Sequence, residues 1–126
     1  MSQDFVTLLF KNTSGAKCVI NGYPGVALFD ASGHKLGDAA RTPSGFFGGL
    51  SSDSVHPPIL ELRPDETASA DVEGAYQGSN PTPCPPVAAM EVTPPGETHS
   101  VRLTAGMYGC SPRVTPIVPG NTGSAR

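Results

Sequence analysis

The side chains in this sequence able to hold a metal ion or move a proton are few and dispersed. Histidines stand at His34, His56 and His99. Metal sites gather imidazoles through short regular spacings such as HxH or HxxxH, and no two of these three are so placed, so solvated surface histidines are expected. Met107 near Cys110 hints at a blue-copper arrangement, but that chemistry needs a histidine shortly after the cysteine, and none follows Cys110. The acids Glu61, Asp71, Glu73 and Glu91 alternate along strand-like runs, the pattern of solvent-facing positions and not of an opposed carboxylate pair. "TPSGF" and "YGCSP" lack the strand-turn-helix setting of a nucleophilic serine. Asp30, Ser32 and Gly33 lack the remaining oxygens of an EF-type calcium loop. Asn12-Thr13-Ser14 matches the N-glycosylation acceptor pattern, which would carry weight only in a source that glycosylates it. The expectation is a chain without catalytic residues, metal or cofactor.

The three cysteines contain no CxxC pair, so a structural zinc site is not expected. Cys84 and Cys110 flank a strand pair that turns through "TPPGE", and both sit in loops. A disulfide between them would close a loop of roughly 25 residues and stabilise the fold by about 3–4 kcal/mol in the chain-entropy account. It also implies an oxidising compartment. Cys18 is left over: either a small apolar group on a strand, or the partner of a cysteine upstream or in a second chain. Nothing near it in sequence lowers a thiol pKa.

Binding candidates are aromatic. Phe46 and Phe47 are adjacent in "TPSGFFGGLSSDS", inside a long irregular stretch from 37 to 58, and in an extended chain both cannot point into one core face. One exposed ring on such a loop makes a contact patch; the alternative is a lid folded over an open end of the domain. Tyr76 and Tyr108, also in loops, join the patch if they fall at the same end. Tyr23 lies in "NGYPG", where Gly22 and Gly25 allow unusual dihedrals and Pro24 fixes φ. That segment reads as a corner between sheets, with a ligand contact through Tyr23 as the other reading. Tyr23-Pro24 is a candidate cis bond.

The elements that must carry these groups are short strands. "FVTLLFK" puts Val6, Leu8 and Phe10 on one face. "NTSG" is a turn, after which "AKCVI" is expected to pair back as a hairpin. Further strands follow at 26–29, 34–36, 59–62, 67–73, 87–92 and 99–103, and then in "RVTPIV". No segment shows a helical period. Turns every 8 to 12 residues and alternating strands predict an immunoglobulin-like antiparallel β-sandwich of about seven to nine strands. It forms a single domain over residues 1–120, with 121–126 a flexible tail.

Composition agrees. The 126 residues include 15 Gly and 14 Pro, which punctuate short apolar runs and so read as turn residues. Net charge is −3 and Lys and Arg are scattered singly, so nucleic acid is not an expected partner. No apolar run approaches the ~20 residues of a spanning helix. Met1-Ser2-Gln3-Asp4 has neither the basic nor the apolar region of a signal peptide, so the protein is cytosolic or its export signal lies outside this chain.

Several stretches together, "FKNTSGAKCVINGYPGVALFDASG", "LRPDETASA", Cys84-Pro85, "VTPPGET", Cys110 and "VTPIVPG", resemble an actinobacterial family known as a domain of unknown function. The family occurs in exported proteins and lipoproteins, and the resemblance runs in order over nearly the whole chain and is strongest to mycobacterial members. It implies an exported cell-envelope domain. In the family a further strand with its own cysteine often precedes the first strand seen here. Its absence would leave an open sheet edge and favour a homodimer through that edge or through Cys18. The resulting expectation is a non-catalytic domain that binds or scaffolds an unknown protein or envelope component. The rival is a protease-inhibitor-like module presenting "NGYPG" or the Pro-rich stretch 80–86 as a stiff loop.

Overall fold

The computed structural model describes residues 3–51, 54–75, 84–107 and 110–125, and among them there are strands and no helix. The architecture is the expected β-sandwich, largely antiparallel. One layer has the order β1-β7-β10-β5: β1 (Gln3–Lys11), β7 (Thr67–Ala75), β10 (Cys110–Val114) and β5 (Ala40–Arg41), with β11 (Val118–Pro119) running along β7 beyond β10. The facing layer holds β4-β3-β8-β9: β4 (Lys35–Asp38), β3 (Gly25–Phe29), β8 (Val87–Thr93) and β9 (Val101–Met107). Beside it stands a two-stranded sheet of β2 (Cys18–Asn21) and β6 (Ile59–Leu62). The β10–β5 pair is parallel.

Alternation explains the layers. Leu8 of β1, Val72 of β7 and Val114 of β10 meet Val26, Leu28, Met90, Val92 and Met107 of the facing sheet in one apolar cluster. Leu60 and Leu62 of β6 close on Ala68, Ala70 and Ile117 in a second, with Phe10, Cys18 and Ile20 packed against it. The small alanines on β7 leave room for Leu60 and Leu62 of β6 to pack against them.

Two expectations about the chain path meet different outcomes. β2 does not pair back on β1; it pairs with β6, from Cys18 against Leu62 to Asn21 against Ile59. The turn therefore carries the chain across the layers. It is held by the buried Asn12, whose Nδ2 donates to the Ala16 and Leu62 carbonyls and whose Oδ1 accepts from the Ser14 amide and hydroxyl. "NGYPG" is the corner: it takes the chain from the β2–β6 sheet into β3. Gly22 has φ +111°, Pro24 is buried after a trans bond, and the Gly22 carbonyl accepts from the Ile117 amide at 2.9 Å. Gly25 does not take a positive φ; it pairs with Thr93 as the first residue of β3.

Candidate functional site

The long strand β7 is buried on both faces. Its inward side chains reach the core, and on the other side Ser69, Asp71 and Glu73 are each 0% exposed. The reading of Asp71 and Glu73 as solvent-facing acids is therefore corrected. What covers them is backbone. Residues 43–50 fold back as a small hairpin, with the Leu50 amide donating to the Pro43 carbonyl (2.8 Å) and the Gly45 amide to the Gly48 carbonyl (2.9 Å). Residues 121–125, part of the 121–126 segment expected to be a flexible tail, lie against this hairpin. The Gly49 amide donates to the Gly123 carbonyl (2.7 Å), the Ala125 amide to the Gly49 carbonyl (2.9 Å), and the Gly123 amide to Ser69 Oγ (2.8 Å).

The hairpin is threaded onto Glu73. The Phe46 amide donates to Oε1 at 2.6 Å, and the Phe47 and Gly48 amides donate to Oε2 at 2.8 and 2.7 Å. Successive N–H groups converging on one anion form a nest, here filled by the protein's own carboxylate. Asp71 lies alongside, its Oδ1 accepting the Thr7 hydroxyl at 2.7 Å. The glycines permit this approach. A Cβ on Gly45 would strike the Glu73 carboxylate, and one on Gly48 or Gly123 the Asp71 carboxylate.

Because the backbone is spent on Glu73, the two phenylalanine side chains turn outward, 48% and 40% exposed at Phe46 and Phe47. Both remain exposed, so neither is a core lid. Phe47 stacks on Phe5 of β1, ring centroids 4.4 Å apart and planes 26° from parallel. The Arg113 guanidinium of β10 sits 4.5 Å from the Phe46 ring centre. The result is a fixed patch of three aromatic rings and one cation on the outer face of the first layer. Phe5 and Arg113 have no special neighbours in sequence; the register that pairs each of them with Glu73 brings them to the loop.

Tyr23 does not join this patch by any ring contact among the described residues. It lies 5.4 Å under the Arg41 guanidinium, and burial raises its phenol pKa above the ordinary value while Arg41 pulls it back. Tyr76 and Tyr108 lie outside the described residues. Cys84 and Cys110 form a disulfide with Cα atoms 5.5 Å apart, joining the start of β8's approach to the start of β10. Cys18 is unpaired among the described residues and half-buried beside a groove of about 570 Å³ shared with Leu9, Val19 and Pro94.

His56 and His99 are exposed, and His34 lies 3.7 Å from Asp30. The Asp30 carboxylate instead closes a tight turn by accepting from the Ser32 and His34 amides, both at 2.9 Å. No helix of the described residues is long and apolar enough to cross a membrane.

A two-layer β-sandwich whose outer face carries a carboxylate-anchored aromatic loop defines the class structurally. The chain belongs to the DUF4232 family, a domain of unknown function, which it matches over residues 1–118. No curated protein and no solved structure matches it.

Proposed function

We propose that this chain is a non-catalytic domain of an exported protein of the cell envelope, secreted or lipid-anchored and of actinobacterial, mycobacterial type, that works by binding or scaffolding a partner at the Phe46–Phe47 loop. The observation that carries this reading is the way the loop is held. Its backbone is fixed by three charge-assisted hydrogen bonds to a buried carboxylate while its two largest apolar side chains face water. A loop fixed in advance loses little entropy on binding, and exposed aromatic rings beside an arginine are the anchors that interfaces favour. The Cys84–Cys110 disulfide supports an oxidising compartment. The inhibitor reading finds less support at the "NGYPG" corner, where Pro24 is buried; residues 80–83 of its other candidate stretch, 80–86, lie outside the described residues.

The test is recovery of partners from envelope fractions by wild type and by Phe46→Ser/Phe47→Ser, with matched melting curves to show that both fold. Loss of specific partners with the variant supports the reading. Equal recovery of every partner overturns it.

A further inference from the structure

Strand β1 is an edge: among the described residues only β7 pairs with it, along all nine positions from Gln3–Ala75 to Lys11–Thr67. The phase of that ladder is visible at its end, where the Asn12 amide donates to the Glu66 carbonyl in continuation of the same register. Even-numbered residues therefore exchange hydrogen bonds with β7, and Phe5, Thr7 and Leu9 aim theirs at the open edge. In agreement, the Phe5 amide donates to the carboxylate of its neighbour, Asp4 Oδ1 at 2.9 Å in an exposed position, and not to β7. The strand is long and has no proline, its pairing with β7 has no bulge, and its charges, Asp4 and Lys11, stand near its ends, so its middle lacks the devices that protect edges.

The second layer shows the same opening. On β9 the odd-numbered side chains face the first layer, as buried Met107 and the packed Ala105 show. Yet Val101 is 56% and Leu103 is 37% exposed. Their partners on β8, Val92 and Met90, are buried. The uncovered part is thus lateral: at this level the first layer ends at β1 and leaves the β9 side chains without a lid.

We infer that the occupant of this edge is a second copy of the chain, its β1 pairing antiparallel with β1 about a two-fold axis through Thr7. In antiparallel pairs opposed side chains share a face, so an axis at Thr7 sets Phe5 opposite Leu9 of the other copy, twice, and Thr7 opposite Thr7. Gln3 then faces Lys11, and no like charges meet. Phe5, Thr7 and Leu9 exchange N–H···O bonds across the seam, and the local Phe5–Asp4 bond gives way. Val101 and Leu103 of both copies meet beneath the new pair. Two nine-residue strand edges with Phe5, Leu9, Val101 and Leu103 from each copy bury on the order of 1,000 Å², the threshold of a specific, weak interface. The interface is isologous, as a closed two-fold requires. It also sets Leu9 of one copy beside the Phe5–Phe47 stack of the other. The dimer goes beyond the binding reading and does not depend on it.

The experiment is sedimentation equilibrium over a concentration series, with hydrogen exchange read at both ends of the series. Wild type is expected to pass from 12.9 kDa to twice that mass, with concentration-dependent protection confined to residues 3–11 and 101–107. Leu9→Lys and Leu103→Lys change exposed side chains, leave melting near wild type, and are expected to weaken association tenfold or more. Phe46→Ser, whose ring packs on Arg113 and not on β1, leaves the dimer intact while removing an anchor of the binding patch, which separates this inference from the binding reading. Wild type that stays at 12.9 kDa up to about 1 mM overturns the proposal. So does protection centred on β2 and β6, or a dimer that survives a denaturing, non-reducing gel and is therefore a Cys18 disulfide.

Discussion

Replacing Glu73 by Gln tests whether the carboxylate fixes the loop. The side chain receives three backbone donors at 2.6 to 2.8 Å with no solvent contact. Hydrogen bonds to a charged group contribute about 1.5–3 kcal/mol each, so full removal has a ceiling of roughly 5–9 kcal/mol. The actual loss is smaller, because Phe46 and Phe47 lie at the surface and freed amides can turn to water. Gln keeps one oxygen, able to serve the Phe47 and Gly48 amides, and places an NH2 group against the Phe46 amide. One bond of three becomes a repulsion and the charge is lost, for an expected cost of about 2–3 kcal/mol. Glu73→Ala removes all three bonds and is expected to cost about 3–5 kcal/mol, cavity included. Urea unfolding measures the total, and exchange of the 46–48 amides measures the local part, expected to quicken about 30-fold or more in the Gln variant. If Glu73→Gln unfolds within about 0.5 kcal/mol of wild type and those amides stay protected, the nest does not hold the loop and the reasoning fails.

Three further outcomes are expected. The double variant Cys84→Ser/Cys110→Ser opens a link across a sequence separation of 26; it should lose about 3–4 kcal/mol and about 10–20 °C of melting temperature by scanning calorimetry, and a change under 2 °C counts against a stabilising role. A thiol count on the denatured, unreduced wild type should give one free group per chain, Cys18. Asp30 should titrate below the ordinary aspartate value, first because of the His34 amide bond and then because of Ser32 and the His34 side chain. The ionised form is the one the turn prefers, so its contribution is present above the ordinary aspartate pKa and is lost as pH falls through the lower folded value. Side-chain NMR titration checks this, and a midpoint at or above the ordinary value refutes it.

Most strands were legible because alternation is a local property. Val6, Leu8 and Phe10 share a face in the sequence and share it in β1, and the punctuation by Gly and Pro marked the ends. The disulfide was legible for a similar reason: Cys84 and Cys110 stand on either side of one hairpin, whose two ends lie side by side, although Cys110 proves to be the first residue of β10 and not a loop residue. The partner of β2 was not, because "NTSG" says that the chain turns and not whether it returns to the same sheet. The polar face of β7 was misread for a related reason. Period 2 separates Ala68, Ala70 and Val72 from Ser69, Asp71 and Glu73, but it cannot say what covers either set. The cover comes from residues 45–48 and 123, more than 20 positions away on either side. A signal was present in the small residues of "TASADVEGA", which leave room for close neighbours on both faces, and in the glycines of "SGFFGG" and "PGNTG", which can lie flat on them.

Covering β7 did not in itself require an acid. A buried carboxylate is a poor source of stability, and an apolar residue under a folded-back loop would have served the same end at lower desolvation cost. What the acid does is choose which part of the loop faces inward. A carboxylate draws N–H groups, so it pulls in the backbone of Phe46, Phe47 and Gly48 and leaves the side chains pointing away. An apolar residue at 73 would draw in the phenylalanine rings and bury them. The glycine at 45 belongs to the same choice, since any side chain there would strike the carboxylate. The stack of Phe47 on Phe5 and the guanidinium of Arg113 on Phe46 then limit how far the outward rings move. An arrangement that exposes apolar surface at a cost in burial is what a contact surface needs and a mere lid does not.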